Sequence, residues 1–148
     1  MADLQITNID AWDDILNELS HPEKIAKEAV NEAMPILEKT TRAAVKASSN
    51  SDRLAQSFSR IPAKENDLGV YSVVRPTGDF NDDLNNENLA AQLEYGRRGN
   101  YQRSDMSRPA TEMAPKPWRQ KAINAARAEC EAIMKRKVYE AVDKIVGG

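Results

Sequence analysis

Apolar side chains recur at helical spacing in several stretches of the 148-residue chain and at strand spacing in its middle. Trp12, Ile15, Leu16 and Leu19 follow Asp10, a good capping residue, and predict a short docking helix within residues 1–20. Ser20-His21-Pro22-Glu23 reads as a capping box with proline in the first turn, so a second helix starts there. Ile25, Ala29, Ala33, Ile36, Leu37, Thr40, Ala44 and Val45 trace one face of it to about Ala47. Pro35 lies inside that pattern and predicts a kink near Asn31 to Met34, or two abutting helices. Ser51 or Asp52 can cap one further turn, Arg53 to Ser57, after which Phe58 and Ile61 alternate with Ser59 and Arg60 as in a half-buried strand. Asn66-Asp67-Leu68-Gly69 carries turn chemistry, and Val70 to Val74 is the clearest strand, so residues 53–78 predict a helical turn and an antiparallel hairpin.

Beyond Gly78 the pattern weakens. Residues 79–88 are rich in Asn and Asp with little to bury, which predicts an exposed acidic loop or flap. Leu89, Ala90, Leu93 and Tyr95 can seat a short helix in the core, while Gly96 and Gly99 permit a sharp exit from which Arg97 and Arg98 project. Residues 97–117, with Pro109, Pro115 and Pro117, have no periodicity and predict an extended basic arm, long enough to suggest a binding role. Pro117 then opens a last helix to about Val146. Trp118, Ala122, Ala125, Ala126, Glu129, Ile133, Val138, Val142 and Ile145 mark its apolar stripe, with Cys130 and Met134 beside it. The fold class expected is α+β, with long N-terminal and C-terminal helices packed on a short central antiparallel sheet.

Length and composition fit one domain over residues 1–148. The chain is 41% hydrophobic but only 5% aromatic, which suits alanine-rich amphipathic helices better than a sandwich of bulky strands. A single cysteine forbids an intrachain disulfide, and no stretch approaches the roughly 18–20 apolar residues of a membrane span. No leader-like N-terminus is visible either, so a soluble intracellular protein without membrane contact is expected. With a net charge of −2 the chain as a whole does not attract nucleic acid.

Charge is instead organised locally. Asp79, Asp82, Asp83, Glu87 and Glu94 precede Gly96, whereas Arg97, Arg98, Arg103, Arg108, Lys116, Arg119 and Lys121 follow it against only Asp105 and Glu112. Candidate chemistry adds little to that reversal. His21, the lone histidine, sits beside a proline at a helix start with no second histidine or cysteine in metal-like spacing, so capping or exposure is the reading. Cys130 reads as a small buried hydrophobe. Asp82, Asp83 and Glu87 are better taken as solvated loop carboxylates than as paired catalytic acids, and Gly96 and Gly99 lack the Lys-Ser/Thr of a phosphate loop. No cofactor, metal site or enzymatic activity is expected.

The order of elements and four short motifs resemble the small tail-component family of long-tailed bacteriophages, the neck or tail-completion proteins that join head to tail. Ser51-Asp52-Arg53-Leu54-Ala55-Gln56-Ser57-Phe58 is similar to the family's Thr-Gly-x-Leu-x-x-Ser segment, with Asp52 in place of the glycine. Val70 to Gly78 matches a strand that ends at a Gly or Pro turn, and Glu94-Tyr95-Gly96 matches a helix ending in Glu-aromatic-Gly. Pro115-Lys116-Pro117-Trp118-Arg119-Gln120-Lys121-Ala122 matches the Pro-x-Pro-aromatic-x-x-x-Ala opening of a terminal helix. The resemblance covers about residues 20 to 146. It implies a virion component, made in the host cytoplasm, that forms a ring with copies of itself, contacts neighbouring neck and tail proteins and surrounds the DNA passage.

Head-to-tail contacts in a ring pair unlike patches of one subunit, and an acidic segment meeting a neighbour's basic arm satisfies that. The expected interface residues are Asp79, Asp82, Asp83, Glu87, Tyr95, Arg97, Arg98, Tyr101, Arg103, Arg108 and Trp118. Arg97, Arg98, Arg103, Arg108 and Lys116 could instead face DNA in the lumen. The alternative function is a nucleic-acid-binding module that uses the arm from Arg97 to Lys121.

Overall fold

In the computed structural model the described residues are Asn17, 20–97 and 112–147. The docking helix expected within residues 1–20 lies outside them, apart from Asn17 and Ser20. The first long helix, α1, spans Pro22–Ser49, two residues beyond the expected end. Its start is not a capping box. His21 occupies the cap position without a side-chain bond to the helix, the Ser20 hydroxyl donates to the Asn17 carbonyl at 2.6 Å, and Glu23 lies 3.1 Å from His21 Nδ1. Pro22 still opens the first turn, where its missing N–H is harmless. Asn50 closes the helix in the left-handed conformation (φ 52°), donating its N–H to the Lys46 carbonyl.

Pro35 does not divide α1, so two abutting helices are not what forms. The turns on either side of it are held by packing: Ala29, Ala33, Met34, Thr41 and Val45 are buried. The partner is the last helix, α4, Arg119–Gly147. Thr40 donates to the Ala122 carbonyl at 3.1 Å, Cys130 Sγ lies 3.4 Å from the Ala33 carbonyl, and Arg136 and Lys137 approach Glu32. Advancing along one helix retreats along the other, so the pair is antiparallel. Alanines at 29, 33, 122 and 126, all buried, let the two backbones approach closely.

The stripe on α4 is narrower than expected. Trp118, just before the helix, and Ala122, Ala126, Ile133, Val142 and Ile145 are buried or half-buried, with Cys130, Met134, Lys137 and Ala141 beside them, whereas Ala125, Glu129 and Val138, expected in the stripe, are exposed. The helix is assigned from Arg119, so Pro117 precedes it instead of opening its first turn. No helix among the described residues is long and apolar enough to cross a membrane.

A short helix, α2 (Asp52–Gln56), follows α1, with the Ser51 side chain accepting from the Leu54 N–H. The hairpin after it has two ladders. Strand β1 (Phe58–Arg60) pairs with β4 (Val74–Pro76), and β2 (Lys64–Asn66) pairs with β3 (Gly69–Tyr71), both antiparallel. The register Arg60↔Val74 and Lys64↔Tyr71 leaves one extra residue on the outgoing side, and Pro62, which has no N–H to offer a ladder, lies in that bulge. The expected strand from Val70 to Val74 is therefore interrupted at Ser72-Val73, where the Ser72 hydroxyl donates to the Ile61 carbonyl.

Val45, Leu54, Ala55, Phe58, Ala90, Leu93 and Trp118 make one core cluster, with Ala44, Val74 and Leu89 packed on it. Phe58 and Trp118 meet edge to face at 5.1 Å between ring centroids. Full burial of side chains such as Phe58, Leu54 and Val45 contributes roughly 1.5–3 kcal/mol each. Arg42 donates from Nε and NH2 to the Phe58 carbonyl at 3.0 and 2.7 Å and pairs with Glu38, which ties the sheet to α1. The architecture is α+β, with long helices at both ends and short antiparallel strands between them.

Candidate functional site

The charge reversal maps onto the two ends of one short helix, α3, Asn86–Tyr95. Ten residues at about 1.5 Å rise separate those ends by roughly 15 Å.

At the N-terminal end the expected acidic loop is a hairpin. Strands β5 (Asp79–Asn81) and β6 (Leu84–Asn85) pair antiparallel with an irregular register, and α3 begins at once after them. The physical reason lies in the same Asn and Asp residues that suggested a loop. Asn81 Oδ1 accepts from the Asp83 N–H at 3.0 Å, forming the turn, and Asn85 Oδ1 accepts from the Asn88 N–H at 2.7 Å, capping α3. Asn86 is buried. It donates from its backbone to the Gly78 carbonyl at 3.0 Å and from Nδ2 to the Thr77 carbonyl at 2.8 Å. The Arg53 guanidinium lies 5.3 Å from the centre of the Phe80 ring, which anchors β5 to α2. Asp79, Asp82, Asp83 and Glu87 are all exposed on this framework.

At the C-terminal end, Gly96 takes φ 78°. A Cβ on it would stand 2.8 Å from the Met113 carbonyl oxygen and 3.0 Å from Pro115 Cδ, so glycine is required both by conformation and by space. The basic arm begins and ends at this point. Arg97 and Met113 exchange both backbone bonds at 2.8 and 2.9 Å, and the Lys116 N–H donates to the Leu93 carbonyl at 2.7 Å. The Glu94 carboxylate reaches across to the start of α4, where one oxygen accepts from the N–H groups of Trp118 at 2.8 Å and Arg119 at 3.0 Å. It acts as the helix cap that the local sequence of α4 lacks.

Of the expected interface residues, Arg98, Tyr101, Arg103 and Arg108 lie outside the described residues. Arg97 is half-buried, its NH1 donating to Gln92 Oε1 at 3.2 Å, so it folds back on α3 instead of projecting. Trp118, expected at the interface, is 6% exposed and belongs to the core, with its Nε1 donating to the Ala90 carbonyl. Tyr95, expected in the core as well as at the interface, is 67% exposed. Lys116 is exposed. Two residues outside the expected interface set complete the site. Glu94, which the sequence marks by its charge and its place in the Glu94-Tyr95-Gly96 motif, caps α4, and Arg119, next to Trp118, lies over the rings of Tyr95 and Trp118 while its NH1 donates to the Tyr95 hydroxyl at 3.1 Å.

Among the described residues no three His, Cys, Asp or Glu side chains converge on a metal-sized site. The Cys130 thiol is pushed up from its ordinary pKa by burial, which works against a nucleophilic role. No family model, curated protein or solved structure matches the chain.

Proposed function

We propose that this protein is a structural assembly subunit, a neck or tail-completion component of a tailed-phage virion that joins head to tail with copies of itself around the DNA passage. The observation that carries the reading is the polarity of α3. Exposed carboxylates stand at one end and exposed cations and Tyr95 at the other, and a chain with unlike patches about 15 Å apart builds rings or filaments by repeating one heterologous contact. The motif resemblance supports the same reading in a second way. Glu94-Tyr95-Gly96 and Pro115 to Ala122, remote in sequence, come together through the Glu94 cap and the packing of Gly96 on Pro115.

A second reading has one observation in its favour. An exposed aromatic beside an arginine, with lysines in the same stretch, can also serve as a stacking platform for single-stranded nucleic acid. That use would show a salt dependence of about one log-log unit per phosphate contacted. The acidic end decides between the two, because DNA binding makes no use of it. Reversing it with the double variant Asp79→Lys, Glu87→Lys should abolish self-association seen by light scattering and leave the circular dichroism spectrum of the monomer intact. Unchanged association in that variant contradicts the assembly reading.

A further inference from the structure

Arg119 is held in position, and among the described residues no carboxylate pairs with it. Its guanidinium lies 6.0 Å from the centre of the Tyr95 ring and 5.5 Å from that of Trp118, and one of its five N–H donors goes to the Tyr95 hydroxyl. Such a bed fixes the plane of the fork, so little side-chain freedom is left to lose when a partner binds. The neighbouring Glu94 carboxylate is occupied by the backbone N–H groups of Trp118 and Arg119 and neutralises the start of α4. Among the described residues Arg119, Lys116 and Lys121 make no ion pair.

At the far end of α3, Asp82 occupies the turn between β5 and β6. It is exposed and makes no ion pair among the described residues, and the hairpin around it is fixed by the Asn81 turn, the Asn86 bonds and the Arg53–Phe80 contact. The two groups are complementary and held in place, and α3 keeps them apart within one chain. We propose that the Arg119 fork, on its Tyr95 and Trp118 bed, binds the β5–β6 hairpin of a second copy, with Asp82 as the carboxylate it takes. The inference rests on the head-to-tail reading and names the pair of surfaces that make its contact. A polyanion fits less well, since it would meet the Glu94 carboxylate beside the fork and a chain of net charge −2.

Charge exchange tests it in the full chain. R119E alone and D82R alone should each raise the concentration for half-association by about tenfold or more, as loss of an interfacial charge pair does. The double variant R119E/D82R should recover association. An equimolar mixture of the two single variants should recover it too, because one then carries two acidic patches and the other two basic ones and they alternate. Recovery in the mixture cannot come from a misfolded chain, so the result stands even where a single variant loses stability. If the wild type associates but neither single variant weakens it, or no exchange restores it, the Arg119–Asp82 pairing is overturned while head-to-tail assembly survives. A wild type that stays monomeric at every concentration overturns both. Binding of a single-stranded oligonucleotide by the wild type, lost in R119E and unaffected by D82R, assigns the fork to nucleic acid and also overturns the pairing.

Discussion

Gly96 is the residue on which the basic end of the site depends. Its φ of 78° is a conformation that L side chains rarely adopt, and a Cβ would press on a backbone carbonyl, which cannot move aside as a flexible side chain could. Gly96→Ala should therefore cost about 1–3 kcal/mol in urea denaturation, whereas a drop within error would show that the arm's closure is slack. Cys130 gives a pH-dependent readout. Burial raises its thiol above the ordinary range, so the folded state favours the neutral form. Any stability it contributes is complete below the unfolded thiol pKa and is lost as pH rises through the higher folded value. Alkylation in the native state should accordingly lag behind that of the urea-unfolded chain near pH 8 and catch up as pH rises. Equal rates at pH 8 would contradict the burial. The glycine's role was legible, since Gly after an aromatic helix end signals a sharp exit. Glu94 was not, because its bonding partners are 24 and 25 residues away and nothing local marks a carboxylate that caps another helix.

Elements were legible where periodicity was long. Helix α1 could be placed nearly to its ends, and of the two outcomes Pro35 predicts, a kink or two abutting helices, the second does not form. The segment from 79 to 88 was misleading for a different reason. Strands of two or three residues hold too few apolar positions to display a period of two, and here only Phe80 and Leu84 are apolar, while Asn turn and cap chemistry looks the same as loop composition. On α4 the abundance of alanine blurs the edge of the stripe, so that exposed Ala125 reads the same as buried Ala126. Substitution separates them. Ala126→Leu should overpack the contact with α1 and cost about 1–3 kcal/mol, while Ala125→Leu, on the exposed side, should fall within about 0.5 kcal/mol of wild type in chemical denaturation. The reverse order would contradict the burial of Ala126 and the exposure of Ala125.

At the scale of the whole molecule, a net charge near zero hides a strong internal polarity. The α+β class was readable because helical periodicity fills both ends of the chain and turn residues crowd its middle. Which charges end up together was not, since α3 separates clusters that adjoin in sequence and the Glu94 cap joins segments that do not. Self-association through such patches weakens with salt, as the Debye length shrinks from about 30 Å at 0.01 M to about 8 Å at 0.15 M. The most direct test of head-to-tail assembly is the solution mass by light scattering across a range of protein concentrations, at low and physiological salt, with and without a short DNA duplex. The mass should climb to a multiple of the subunit, reach it at lower concentration in low salt, and be unaffected by DNA. A mass that remains that of one subunit throughout, or that rises only when DNA is added, contradicts the account.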